Sequence, residues 1–352
     1  MVGKMWRAVL VEPALFVTEE VDIPSPKPGE ALIKVGRVGV CGSDISALHD
    51  KHPYIHRPIV LGHEVSGVVV EADAESRLGP GTRVAVIPHL VCGSCGPCSK
   101  EVYNLCENLK CIGAQADGAH SEYIVMDEKM VLPIPDDLSL DDAAMVEPAA
   151  VAYHGIKRTG IGSNDSIFIV GAGPIGIFAM QSAKALGAKA VYIADIDSWR
   201  LSLASKLGAD GVIDLSVESM SDGLTRLAGS PKQISVMADC VGGKGDVLNQ
   251  LIELAPRGSR IVMIGVLGNN YDIPALPNFV EHELALFGTT MYVPQDYREV
   301  IDHMSAGRIS TEGMVTHTFD LKDLPAAFDM IDDRREPFFK VMFRVSGVEA
   351  DR

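Results

Sequence analysis

From about residue 150 onward, short and continuously apolar runs alternate with segments of helical periodicity, and this alternation limits the fold more than any other feature. SIFIVG (166–171), AVYIAD (190–195), GVIDL (211–215), ISVMADC (234–240) and RIVMIG (260–265) are apolar along their length, not at every second position. Strands of that kind are buried on both faces, as in a parallel sheet covered by helices. PIGIFAMQSAKALG (174–187) and SWRLSLASKLG (198–208) supply helices between them. The expected fold class is therefore α/β, with a doubly wound parallel-sheet domain over 152–289.

The first 150 residues have a different texture. RAVLVE, EALIKVGRVGV, EVSGVVVEA, GTRVAVIP and HSEYIVM are short β-like runs separated by glycine, proline and aspartate. A mostly-β domain is expected there, with its chemistry carried on loops. Beyond Met291 come a helix-like stretch (296–306) and the strand-like FKVMFRV, which suggest a return to that first domain. The first domain is then discontinuous, 1–151 plus 290–352. A chain of 352 residues exceeds what one hydrophobic core ordinarily supports, in keeping with two domains.

The dinucleotide reading rests on Gly171-Ala172-Gly173-Pro174-Ile175-Gly176, which follows an apolar strand and opens a helix. Glycines there allow a tight turn and close approach to a pyrophosphate, which the helix N-terminus attracts. Asp195 closes the next strand, where a carboxylate can accept from both ribose hydroxyls and repel a 2′-phosphate. The alternative for Asp195 is a helix cap, a task that Asp197 can also perform. Arg200 weakens the exclusion of a phosphate, so NAD is favoured over NADP without excluding it.

Seven cysteines occur, and four of them form Cys92-x2-Cys95-x2-Cys98-x7-Cys106. Thiolates so spaced suit a closed tetrahedral zinc site, with iron–sulfur ligation as the chemical competitor. A second, dispersed set is Cys41 in VGVCGSD, His63 and Glu64 in LGHEVSG, and Glu147 in VEPAA. Three such ligands plus a water define a catalytic zinc, but spacing alone does not bring them together. Cys41 is equally readable as a small buried hydrophobe and His63 as a hydrogen-bonded structural residue.

CGSD (41–44), GHE-x2-G (62–67), the four-cysteine lobe, Glu147-Pro148 and Gly171–Gly176 together resemble, in content and order, the zinc-containing medium-chain dehydrogenases. The likeness spans essentially the whole chain. It implies a GroES-like catalytic domain with a Rossmann domain inserted before the C-terminal segment. GHE with a downstream Glu-Pro resembles the sorbitol dehydrogenase and galactitol-1-phosphate dehydrogenase branch. The resemblance implies two zinc ions per subunit, one catalytic on Cys41, His63 and Glu64 and one structural on Cys92, Cys95, Cys98 and Cys106. Glu147 is then a fourth ligand or the partner of a zinc-bound water. The implied reaction moves a hydride from a secondary alcohol of a polyol, sugar alcohol or its phosphate to NAD, with Ser43 or Glu147 assisting the proton.

The chain departs from relatives at Ser46, where a relay histidine often stands, and at Ala47, where sorbitol dehydrogenases place an aromatic. His49 falls three residues too late for that relay. An amino-alcohol (threonine-type) or cyclitol dehydrogenase is the alternative enzyme, and a non-catalytic nucleotide-binding protein the alternative class. His52, His56 and Arg57 are candidates to meet a substrate phosphate, or simply a solvated loop.

A formal net charge of −16 without a long basic run makes nucleic acid and anionic membranes poor partners. The opening MVGKMWRAVLVEPALF lacks the pattern of a secretory leader, and the expected location is cytoplasmic. ELALFG (283–288), as the last strand of the parallel sheet, is expected to pair with its symmetry mate in a homodimer or homotetramer.

Overall fold

The computed structural model of the chain describes residues 3–242, 246–266, 272–333, 336–345 and 347–348. They pack as two units. The first comprises residues up to 147, 293–301 and those from 314 onward; the second comprises 148–292 and 302–313.

The first unit is built on the strand Glu30–Gly39, whose Leu32, Ile33, Val35 and Val38 are fully buried. One edge of that strand pairs antiparallel with Glu64–Glu71 over its length. The other edge is shared: Tyr123–Asp127 pairs with its first half and the C-terminal strand Lys340–Arg344 with its end. Val315–Asp320 extends the sheet beyond Lys340–Arg344 in parallel, while Arg83–Val86 and Val131–Pro133 extend the opposite side. A hairpin of Lys4–Glu12 and Leu15–Asp22 stands apart. The C-terminal segment therefore supplies two strands to the sheet that organises the first third of the chain.

The second unit holds a six-stranded sheet in the order Gly211–Asp214, Ala190–Asp195, Ser166–Val170, Val236–Asp239, Arg260–Met263 and Ala285–Gly288. Every neighbouring pair is parallel. The order runs outward in both directions from the first strand, so a switch point lies at the carboxyl end of Ser166–Val170. Phe168, Met237 and Ile261 pack with Leu224, Leu248 and Leu251 of the covering helices. The continuous apolar runs thus form a doubly wound sheet whose strands pack against covering helices.

Two features differ from the sequence reading. The division between units falls after Glu147, inside a helix spanning Leu140–Arg158. Pro148 within it hides that helix from a pattern reading, because an interior proline removes a hydrogen bond and usually ends a helix. Residues 302–313, expected with the first domain, pack with the second. Gln181 on helix Pro174–Ala185 donates to the Ser310 carbonyl (3.0 Å) and accepts from its amide (2.7 Å).

Candidate metal centre and dinucleotide site

Cys41 leaves the end of strand Glu30–Gly39 and caps the short helix Gly42–Leu48. The fully buried Asp44 carboxylate accepts from the Cys41 amide at 2.8 Å, which fixes the turn. His63 and Glu64 arrive from the neighbouring strand, where Glu64 pairs with Gly39. A Cβ on Gly39 would lie 2.0 Å from Glu64 Oε2, so the glycine leaves room for that carboxylate. Two adjacent strand ends thereby bring together residues more than twenty positions apart. One donor atom each from Cys41, His63 and Glu64 lies within 4.8 Å of the others.

Charge around this trio is tightly managed. His63 Nδ1 stands 3.8 Å from Asp44 Oδ1, beyond hydrogen-bond reach but close enough for the carboxylate charge to act on the ring. Burial opposes a charged imidazole, but the Asp44 carboxylate and the Cys41 thiolate outweigh it and raise His63 well above the usual range. Lys340 Nζ donates to both Glu64 oxygens, each at 2.7 Å, and to the Val40 carbonyl at 3.0 Å. Burial pulls Lys340 down, while Glu64, Cys41 and Glu147 more than restore it, so the ammonium stays charged. A sulfur, an imidazole and a carboxylate converging in a buried site fit zinc in kind and number.

The structure brings the other expected residues close without adding them to that trio. Glu147 is buried, and its charge is felt at Lys340, Cys111 and Tyr297. It is not among the clustered donor atoms. The Ser43 hydroxyl oxygen is buried with no hydrogen-bond partner, so its capacity is free. Ser46, by contrast, is spent on the Gly42 carbonyl at 3.0 Å. His49 pairs with Asp332 at 2.8 Å. Arg57 bridges to Asp50 at 3.1 Å, and His52 Nδ1 accepts from the Tyr54 amide at 3.3 Å. Sequence reasoning missed three members: Asp44, Lys340 and the buried Cys111. Asp44 was findable three residues beyond Cys41, the position from which a carboxylate caps a helix. Lys340 stands in the apolar run FFKVMFRV, which also carries Arg344, and nothing in the run points to its partner.

The four-cysteine loop stands on the short ribbon of His89–Leu90 and Lys110–Cys111. Cys92 and Cys106 sulfurs are 3.6 Å apart, and Cys92 and Cys98 sulfurs 4.0 Å. Tetrahedral zinc with bonds of about 2.3 Å sets sulfur–sulfur edges of about 3.8 Å, so the loop matches that geometry and no disulfide. Amide hydrogen bonds from Ser94 and Cys95 lower Cys92 to about 5, whereas burial pushes Cys98 up to about 12.

In the second unit, the three glycines of the turn have separate causes. Gly171 sits at φ +98°, and a Cβ on Gly176 would lie 1.7 Å from the Gly171 carbonyl oxygen. A Cβ on Gly173 would meet only Arg200 Nη1 at 3.9 Å, so that backbone stays open to a ligand. Helix Pro174–Ala185 begins there, with Pro174 at its first position and Ile175 following. Asp195 accepts from the Ala172 amide at 2.6 Å and the Asp197 amide at 3.0 Å, tying its carboxylate to the glycine turn. Asp197, not Asp195, caps the next helix by accepting from Trp199 and Arg200. Arg200 Nε is buried without a hydrogen bond, 3.7 Å from Asp197. The turn, the helix start and the acidic strand end fit a dinucleotide.

Comparisons with known proteins point to one family along most of the chain. Residues 27–136 match the model of the alcohol dehydrogenase GroES-like domain, and residues 174–306 that of the zinc-binding dehydrogenases. L-galactonate-5-dehydrogenase of Escherichia coli K12 is 32% identical, with 92% of this chain and 94% of that one covered. D-arabitol-phosphate dehydrogenase of Enterococcus avium is 31% identical, with 94% of each covered. The solved structure of the rspB alcohol dehydrogenase from E. coli CFT073, complexed with NADH, superposes with a TM-score of 0.89. It is 30% identical and covers 97% of this chain and 99% of its own.

Proposed function

Because the chain belongs to the zinc-type alcohol dehydrogenase family, whose members are zinc- and nicotinamide-dependent oxidoreductases, we propose that it oxidises a secondary alcohol on a polyol, a sugar alcohol or a phosphate of one, with NAD as acceptor. The observation that carries the reading is the convergence of Cys41, His63 and Glu64, with a buried, unspent hydroxyl on Ser43 two residues beyond Cys41. When bound, zinc supplies a Lewis acid at the alcohol oxygen, and NAD supplies the hydride acceptor.

The residues divide the remaining work. Cys41, His63 and Glu64 hold the metal, and Asp44 orients the His63 ring. Ser43 relays the proton: its Oγ accepts from the substrate hydroxyl while its own hydrogen passes on towards solvent. Glu147 adds buried negative charge, felt at Lys340 and Tyr297, and would favour loss of the proton. Tyr297 donates to the Val86 carbonyl at 3.0 Å, and burial with the Glu147 and Glu64 charges keeps it neutral. In the second unit, the N-terminus of helix Pro174–Ala185 receives the pyrophosphate. Asp195 receives the ribose hydroxyls and disfavours a 2′-phosphate.

Cys92, Cys95, Cys98 and Cys106 hold the second zinc, which organises its loop. A second copy of the chain is the expected partner. The strand Ala285–Gly288 is the edge of its sheet, and Leu286, Leu276, Val280 and Val266 nearby expose apolar surface. Among the described residues no helix is long and apolar enough to cross a membrane.

The test is NAD or NADP reduction, followed by absorbance, over polyols, sugar phosphates, sugar acids, cyclitols and amino alcohols. Turnover with NAD on one polyol-type group supports the reading. Turnover confined to amino alcohols, or silence with metal and cofactor bound, overturns it.

A further inference from the structure

Among the described residues, Lys340 is the lysine whose ammonium is enclosed at the metal-binding trio, with its side chain 4% exposed against a Glu64 side chain 1% exposed. An ammonium has three N–H donors, and Lys340 spends them on Glu64 Oε1, Glu64 Oε2 and the Val40 carbonyl. The same Glu64 carboxylate contributes a donor atom to the cluster with Cys41 and His63. One buried anion therefore faces two claims, from a fixed ammonium and from a divalent cation.

Resting on the assignment of Cys41, His63 and Glu64 as metal donors, we propose that Lys340 is the built-in countercharge of this centre, competing with the metal for Glu64 and limiting how tightly it is held. The ammonium cannot swing away to avoid the competition. Its strand, Lys340–Arg344, pairs with Glu30–Gly39 through Met342 and Gly39, and the Val40 amide donates to the Val341 carbonyl at 2.9 Å. Cys41 is the next residue, so the countercharge and the metal's sulfur ligand hang from the same strand junction. Without metal, the ammonium is the charge that makes a buried Glu64 tolerable. With metal, it is a like charge at close range in a buried site, where repulsion is poorly screened. Lys340 thus stabilises the metal-free protein more than the loaded one. It acts as a positioning residue, holding Glu64 where the donors meet even before a metal arrives.

The experiment uses the full chain, with cobalt as a spectroscopic probe and a competing chelator to set the free metal. The four-thiolate loop gives a distinct cobalt band and serves as the internal reference. Lys340→Met should bind cobalt at the mixed-donor site about tenfold tighter or more, with shifted bands, while the loop is unchanged. Its melting temperature should fall further without metal than with it. Lys340→Arg, which keeps the charge, should retain an affinity near wild type. If Lys340→Met folds in neither state, the pair Glu64→Gln with Lys340→Met removes both charges and should fold without metal. Equal losses of melting temperature with and without metal, unchanged cobalt affinity, or an unfolded double variant would overturn the proposal. Wild-type protein that gives no mixed-donor cobalt band overturns the donor assignment itself, a separable outcome.

Discussion

The four-cysteine loop draws all its donors from fifteen consecutive residues, whereas Cys41, His63 and Glu64 meet only because two antiparallel strands end side by side. The difference extends to electrostatics. Cys92 is exposed and is lowered to about 5 by local amides. The trio carries the buried Asp44 and Lys340 as charge partners, the latter supplied by the C-terminal strand. A locally encoded, closed site suits a structural ion; a site assembled by the fold, with an unspent hydroxyl next to it, suits chemistry.

Substitutions at the trio should break this contrast most visibly. Cys41→Ser or His63→Ala should reduce kcat by about a thousandfold or more while leaving NAD binding intact. Cys98→Ser should instead lower the melting temperature and remove one zinc, with a smaller loss of turnover per folded molecule. Steady-state rates, cofactor titration and metal analysis distinguish the two. Equal effects on rate and stability at both places would erase the distinction.

Ser43→Ala should lower kcat by about a hundredfold, with a weaker effect on KM, since it removes a proton relay and not a metal ligand. An unaltered rate would transfer that role to Glu147. Within the second unit, Asp195→Ala should weaken NAD about tenfold and narrow the gap to NADP, measured by fluorescence titration of both cofactors. Unchanged preference would show that Asp195 only ties the glycine turn to its strand.

The smallest effect concerns a histidine outside both sites. His120 is fully buried against Phe343 and Phe328, and burial together with the nearby His63 charge depresses it from 6.5 to about 3. Its folded value is below its unfolded value, so the unfolded chain binds the proton first as pH falls. Stability linked to His120 is therefore present above about 6.5 and is lost between there and about 3, at most ~1.4 kcal/mol per pH unit. Melting curves of wild type and His120→Leu at pH 7 and pH 5 should show the variant losing less on acidification. An identical loss would assign the acid limb elsewhere, with His89, held down to about 4 by burial, the next candidate.

What could be read in the sequence follows the same divide between local and assembled features. The glycine turn and the four-cysteine loop are contiguous, so spacing alone exposes their chemistry. The parallel strands announce themselves because burial on both faces forces continuous apolar runs. Cys41, His63 and Glu64 needed a family resemblance, since no periodicity says that two strand ends adjoin. Lys340 was invisible because its partner is 276 positions away and a charge in a strand ordinarily marks a solvent-facing position. The helix Leu140–Arg158 was obscured by Pro148, and the packing of 302–313 by contacts that only Gln181 and Ser310 reveal.

The most direct measurement follows zinc per chain, NAD reduction rate and melting temperature together as a chelator is titrated. Two zinc ions per chain are expected at the start. Turnover should fall in proportion to loss of the first ion, while the melting temperature changes only modestly until the second leaves. Full activity after one ion has gone, or a chain that never holds more than one, would contradict a catalytic centre at Cys41, His63 and Glu64.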